Sequence, residues 1–401
     1  MNSIALLKGS LSVKSDGARQ SNAALTIIIP CLNEARTLPA LLGTFQEVIA
    51  SEAFGERKVK ILVSDNGSTD GSQELARAQG AQVTHCAERG YGAALRHGIE
   101  TADTPIVMFL DADMTYDPHD APKLVNTLET DVDLVLGDRL RGEKHPGAMP
   151  LLHRHLGTPV LTFLINALHA KETPVQDCNS GYRCFWRDAY QTWGITSNGM
   201  EFASEMLIRA LQTKSVIRNV PISLKPNPPG RVPHLQTWRD GMRHLLQILL
   251  EKPEFFEWLG IGMILLCWAG LIACLFGPFV VFGGSLFGVH SAIILMLLVL
   301  IGQDFWSIGL FVSLKPNRPI PARYQWAIDL NEGSLFWGML TVILCVLTGG
   351  AYALRVWLQN GFTKLELEAE FVVCATVVMQ IVELTVGLMV TSFIRRLVKF
   401  K

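Results

Sequence analysis

The sequence predicts an α/β domain, a mostly parallel sheet covered by helices, that runs on into an amphipathic helix and four transmembrane helices. Three observations carry this. Short β-rich runs alternate with helix-length segments over the first 235 residues. Asp, Glu, Lys and Arg are all absent between Trp258 and Gln303. Apolar segments of about 20 residues, the length that crosses a bilayer core, then recur to the end of the chain.

Residues 1–24 are polar, carry Lys8, Lys14 and Arg19 and lack an apolar core of signal-peptide length, so the expectation is a flexible cytosolic lead-in with no export. Residues 25–235 form the α/β domain, with strands expected at 25–30, 59–65, 81–85, 105–110 and 134–137. Over 236–257, Trp238, Met242, Leu245, Leu246 and Leu249 recur at helical spacing beside Arg239, Arg243 and His244, which reads as an amphipathic helix at the membrane surface. Residues 258–401 form the four-helix membrane domain, with spans near 258–282, 290–314, 335–354 and 371–394.

The loops give the orientation. The first has no Lys or Arg, the second carries Lys315, Arg318 and Arg323, and the third has Arg355 and Lys364 beside Glu366, Glu368 and Glu370. The tail ends in Arg395, Arg396, Lys399 and Lys401. Positive-inside bias therefore puts the α/β domain, the middle loop and the C-terminus in the cytosol, in an integral protein of the plasma (inner) membrane. A net charge of −1 with no dense basic block excludes nucleic acid as a partner. The 8 cysteines form no CxxC pair and read as reduced structural thiols.

Asp111 and Asp113 follow an apolar strand, so both carboxylates emerge at its carboxyl end, where ligands of open α/β sheets bind. Two such acids suit Mg²⁺ or Mn²⁺ shared with phosphate oxygens, and the same spacing also suits a turn. Asp65 ends a strand and opens Asn66-Gly67-Ser68-Thr69-Asp70, where turn and helix-cap chemistry explains the pattern equally well. His153 and His155 do not share a helix face and read, with Arg154, as a basic surface near headgroups rather than a metal site. Asp304 and Glu383 lie in spans, where an acid costs about 2.5–3.5 kcal/mol, and are expected to face one another, a subunit interface or a lipid path. Trp306, Trp337 and Trp357 read as interfacial anchors.

The segments Ile28-Ile29-Pro30-Cys31-Leu32-Asn33-Glu34, Asp65-Asn66-Gly67-Ser68-Thr69-Asp70, Arg89-Gly90-Tyr91-Gly92, Asp111-Ala112-Asp113 and Asp177-Cys178-Asn179-Ser180-Gly181-Tyr182-Arg183 occur in the order seen in family 2 glycosyltransferases of GT-A fold. The chain most resembles polyprenyl-phosphate (dolichol-phosphate type) sugar synthases with a four-helix anchor, and the resemblance covers nearly its whole length. It implies that Pro30, Asn33, Glu34, Asp65, Arg89, Gly90 and Asp111 bind the donor and that Asp111 and Asp113 hold the metal. It implies that Arg139, Arg154 and Thr158 hold the lipid phosphate, and that Asp177 is the active-site acid, catalytic together with Asp113 and Arg139. Arg231, on the 225–233 loop, matches the family's mobile loop near the donor; a plain linker to the anchor fits that loop as well. Thr115 stands where some relatives have a metal-contacting Gln, and Asp138 where a Ser is frequent.

The implied reaction is inverting transfer of a hexose from a UDP- or GDP-sugar to a polyprenyl phosphate at the cytosolic membrane face. A phosphate monoester with a second pKa of about 6 is already largely ionised at pH 7, so Asp177 as base and Asp177 as orienting group both remain open. The expected partners are the nucleotide-sugar, the lipid and the membrane, and a homo-oligomer is left open. A processive polysaccharide synthase is disfavoured, because Gln236-Thr237-Trp238-Arg239 lacks QxxRW spacing. A lipid-sugar transporter that merely binds nucleotide is disfavoured by the intact acids.

Overall fold

A computed structural model of the chain describes residues 19–170, 173–229, 237–277, 279–281, 284–314, 321–328, 330, 332–359 and 369–399. They divide into two compact units, Met1–Ile248 and Leu249–Lys401.

The strands of the first unit are β1 Leu25–Cys31, β2 Val59–Asp65, β3 Gln82–His85, β4 Ile106–Phe109, β5 Leu134–Asp138, β6 Arg183–Trp186 and β7 Ile217–Pro221. Its helices are α1 Leu38–Ala50, α2 Ser72–Ala78, α3 Tyr91–Thr101, α4 Ala121–Thr127, α5 Thr158–His169, α6 Arg187–Trp193, α7 Phe202–Gln212 and α8 Thr237–Leu250. The seven strands form one sheet in the order β3-β2-β1-β4-β6-β5-β7, with β6 antiparallel to both neighbours and the other pairs parallel.

β1 forms because 25–31 is a β-branched and apolar run whose every residue is buried, the signature of a strand covered on both faces. Ile27, Ile28 and Ile29 are fully buried, each worth about 1.5–3 kcal/mol of transfer free energy. Phe109 centres an aromatic cluster, edge-on to Phe185 and to Phe202 with ring centroids 6.0 Å apart in both pairs. The expected strands are all present, four of the five with ends shifted by a residue or two. β6 and β7 are additions: β6 is four residues long and opens on an arginine, so neither length nor alternation announces it.

α8 turns its residues differently from the expectation. Trp238, Met242 and Leu246 are exposed, but His244 and Asp240 are buried with Ile248 against the first unit rather than lining a polar face. His244 Nδ1 lies 2.7 Å from the Ser204 hydroxyl on α7, and burial pushes its imidazole down to about 4, so it is neutral.

The second unit contains α9 Pro253–Cys274, β8 Phe279–Val281, β9 Gly284–Leu286, α10 Val289–Ser313, α11 Gln325–Ile328, α12 Glu332–Gln359 and α13 Ala369–Lys399. α9, α10, α12 and α13 are long and apolar enough to cross a membrane. The first span starts earlier and ends earlier than 258–282. Pro253 in the first turn starts α9, and its Glu257 is buried and paired twice with Arg323, at 2.7 and 2.8 Å, so acids enter the helix at low cost. Gly277, at φ 91°, follows the end of α9, and β8 and β9 then pair antiparallel. Gly260 and Gly302 let α9 and α10 cross closely: a Cβ on Gly260 would lie 2.5 Å from the Gly302 carbonyl oxygen. Asp304 is exposed on α10 and interacts electrostatically with half-buried Glu383 on α13. Trp306 meets Tyr324 edge-on, while Trp337 and Trp357 are exposed.

Candidate active site

The polar motifs converge at one edge of the sheet, the carboxyl ends of β1, β2, β4 and β5 and the start of antiparallel β6. At the β1–β2 corner the loops are locked by their own side chains. Asn33 sits at φ 57°; its amide N–H donates to Ser68 Oγ at 2.9 Å, and its side-chain oxygen accepts from Thr69 N–H at 2.8 Å. Asp65 is fully buried and accepts from the N–H groups of Gly67 and Ser68 and, at 2.7 Å, from Gln73 Nε2. Here the turn chemistry is visible: the carboxylate shapes the loop. Glu34 is buried, its N–H donating to Ser72 Oγ at 3.0 Å and its carboxylate accepting from Thr37. Pro30 lies within β1 and pairs in register with Ser64.

The Arg89–Gly90 corner joins this lattice through Asn66, whose side-chain oxygen accepts from Gly90 N–H at 2.8 Å, while its carbonyl accepts from Arg89 Nη1 at 3.0 Å. Gly90 has φ 136°, and a Cβ there would run into the Asn198 carbonyl, so no other residue fits.

Asp111 and Asp113 leave β4 at the centre of the edge. The Tyr91 hydroxyl donates to Asp111 Oδ1 at 2.8 Å; burial, then the adjacent carboxylate, push that phenol well above its usual value, so it stays a donor. Asp113 Oδ1 accepts from Thr115 N–H and hydroxyl at 3.0 and 2.6 Å, so Thr115 orients the acid. Gly181 comes in closely from the β6 side: a Cβ there would stand 2.7 Å from Asp111 Oδ2. Among the described residues no group of three or more His, Cys, Asp or Glu could hold a metal. Two carboxylates at a strand end fit a divalent ion of the Mg²⁺ kind, which takes one or two protein oxygens and completes its shell with phosphate and water, and do not fit a closed protein cage.

The β5 corner holds Arg139 and Asp177. Asp177 is fully buried; its oxygens accept from Arg139 Nε at 2.7 Å, Arg139 Nη2 at 2.8 Å, Arg139 N–H at 3.2 Å and Asn179 N–H at 3.2 Å. This bidentate pair holds Arg139 permanently cationic. Asp138 is buried too, accepting from Leu140 and Arg141 N–H, and burial raises its carboxyl above the usual range. Thr158, at the start of α5, is buried and accepts weakly from Asn179 Nδ2 at 3.4 Å. Arg154 is exposed on the π-helical turn His153–Gly157 that precedes it. His153 in that turn is held below its usual value by burial and by the Arg139 charge. Leu151, Leu152, Leu156, Val160 and Phe163 are exposed around it, from 40% to 74%.

The 225–233 loop begins with Lys225, whose N–H donates to Thr115 O at 2.8 Å and whose ammonium pairs with Asp117 at 2.7 Å; Pro229 O accepts from Arg36 at 3.2 Å. Arg231 lies outside the described residues. Sequence reading assigned no separate role to Tyr91, Tyr116 or Arg183, though Tyr91 and Arg183 stand inside quoted motifs. Tyr116 is buried and its hydroxyl accepts from Gly181 N–H at 2.8 Å.

The profile of Glycosyl transferase family 2 matches residues 26–194. The low-salt glycan biosynthesis hexosyltransferase of Haloferax volcanii is 33% identical over 92% of this chain and 87% of its own length. The dolichyl-phosphate hexose transferase of the same organism is 28% identical over 49% of this chain and 81% of its own. Glucosyl-3-phosphoglycerate synthase from Mycobacterium tuberculosis, solved with Mn²⁺, UDP and glucosyl-3-phosphoglycerate, aligns at 20% identity and a TM-score of 0.47 over 58% of this chain and 81% of that one.

Proposed function

The chain belongs to glycosyltransferase family 2 and takes its sugar from a nucleotide-sugar donor, and from that premise we propose that it passes a hexose, with inversion, from a UDP- or GDP-sugar to a polyprenyl phosphate. The observation that carries the lipid acceptor is the segment after β5: exposed Arg154 stands on the same turn and helix as exposed Leu151, Leu152, Leu156, Val160 and Phe163, and Thr158 at its centre is tied through Asn179 to the Asp177 that holds Arg139. Cations for a phosphate flanked by an apolar face match a ligand with a charged head and a hydrocarbon tail. The dolichyl-phosphate hexose transferase among the relatives supports the same reading.

Pro30, Asn33, Glu34, Asp65, Arg89, Gly90 and Arg231 form the donor side in this reading. Asp111 and Asp113 would hold Mg²⁺ or Mn²⁺, which when bound would supply positive charge to offset that of the leaving nucleoside diphosphate. Arg139, Arg154 and Thr158 place the lipid phosphate, whose oxygen attacks the anomeric carbon as the bond from that carbon to the diphosphate oxygen breaks. The nucleophile is already ionised at pH 7, with its second pKa at about 6. Asp177, which accepts N–H groups at both oxygens, therefore anchors Arg139 rather than taking a proton. The α/β domain and C-terminus face the cytosol, and the apolar helices anchor the chain in the plasma (inner) membrane.

The test presents purified protein with UDP- and GDP-sugars and polyprenyl phosphate, with Mg²⁺, Mn²⁺ or chelator. Metal-dependent labelling of lipid by one donor is expected; absence of label with every donor, in protein shown to be folded, overturns the reading.

A further inference from the structure

We propose that Arg183 is a positioning residue: its guanidinium fixes the 177–182 segment so that the Asp177–Arg139 pair stays in register with Asp111. The inference rests on the transfer reaction proposed above and assigns a role to a side chain that contacts no substrate there.

The backbone supplies the first half. Arg183 opens β6 and stands opposite Phe109 of β4 and Leu136 of β5, just upstream of Asp111 and Arg139, which follow those strands. The residue where the 177–182 segment enters the sheet is thus the residue that aligns the metal strand with the arginine strand.

The side chain supplies the second half. Nε donates to Ser180 O at 3.0 Å, Nη2 to Cys178 O at 3.0 Å and Nη1 to Ala203 O at 2.8 Å. The first two bonds gather the segment around the guanidinium, and the third ties it to α7. The group lies 6.0 Å from the Phe109 ring centroid, a cation–π contact with the metal strand. The segment so held contains Asp177, whose carboxylate grips Arg139, and Gly181, which closes against Asp111.

Packing does not account for a charge here. Arg183 is fully buried, and among the described residues no carboxylate pairs with it; all its hydrogen bonds go to neutral carbonyls. Burial pushes its guanidinium down to about 10, so it remains charged at neutral pH. A desolvated cation whose hydrogen bonds all go to neutral carbonyls is costly, and an apolar side chain of similar length would fill the volume without that cost. What an apolar residue lacks is a planar fork that reaches three carbonyls at once, and lysine lacks it too.

The experiment uses the full chain in detergent or nanodiscs, comparing R183M and R183K with wild type. Steady-state transfer to polyprenyl phosphate, Mn²⁺–UDP binding and hydrogen exchange of peptides spanning 177–182 are measured. R183M is expected to lower kcat about 100-fold, the scale of losing one preorganised electrostatic element, with donor KM within about twofold. R183K regains part of that loss, and exchange quickens in 177–182 while the β1–β2 peptides keep their protection. Unchanged kcat and unchanged local exchange in either folded variant overturns the proposal, as does a loss of protection spread evenly over the domain. If R183M does not fold, R183K decides by the same readouts. Absence of transfer in the wild type would sink the lipid-acceptor reading alone, because exchange and Mn²⁺–UDP binding still judge Arg183.

Discussion

At the β1–β2 corner Asn33, Asp65 and Asn66 direct their side-chain oxygens to backbone N–H groups of their own or a neighbouring loop, those of Thr69, Gly67 and Gly90, so the corner proposed for the donor is a lattice closed on itself. At the β5 corner the contacts centre instead on side chain to side chain bonds, the ion pair of Arg139 with Asp177 and the bond from Asn179 to Thr158, and apolar side chains stand exposed on the turn and helix that carry Thr158. The contrast teaches how the labour is divided. The corner proposed for the donor is preorganised by bonds from side chains to backbone, whereas the corner proposed for the acceptor depends on one buried ion pair and carries an exposed apolar face.

The contrast can be broken by substitution, most severely at the ion pair. R139M leaves Asp177 buried without its main partner and is expected to cost about 3–5 kcal/mol of stability as well as transfer, read by denaturation and assay together. An intact melting transition in R139M would show that the β5 corner does not depend on the pair. D113N keeps the oxygen that accepts from Thr115 but removes half of the carboxylate charge proposed to hold the metal. Transfer should drop about 100- to 1000-fold with the fold unchanged, measured as initial rate against Mn²⁺ concentration.

The apolar face comes next in size. L156S together with F163S should raise KM for polyprenyl phosphate about 10-fold by removing surface that would be buried against lipid, while donor KM stays put. A matching rise in donor KM would erase the distinction between the corners. The smallest effect belongs to Asp138. Burial raises its folded-state carboxyl above the ordinary 3.8, so the ionised form carries a penalty that is full above the folded value and absent below 3.8. D138N, which keeps an oxygen for Leu140 and Arg141 N–H, should gain at most about 2 °C in Tm at pH 7, the gap closing as the pH is lowered towards 3.8.

The difference between the corners also governed what the sequence revealed. The β1 run of Leu25, Ile27, Ile28 and Ile29 and the Asp-Asn-Gly-Ser turn after β2 are local patterns, and the strands they announce are present. Asp111 and Asp113 were readable because an apolar strand places them. β6 and the clamp made by Arg183 were not readable, because four residues opening on an arginine carry no periodicity and the carbonyls they meet come from three separate positions. The helical spacing of α8 was legible, but not that His244 would turn inward to Ser204, since that orientation is set by packing on α7. The start of α9 was missed because Glu254 and Glu257 look unsuited to a span until Arg323, far along the chain, pairs with Glu257.

The most direct test of the acceptor corner is acceptor discrimination with one active donor and Mn²⁺: polyprenyl phosphate, the same polyprenol without phosphate, and a short water-soluble phosphate monoester. Transfer to polyprenyl phosphate alone is expected, because the cations require the phosphate and the apolar face requires the chain. Equal transfer to the soluble phosphate, or to the phosphate-free polyprenol, would contradict it.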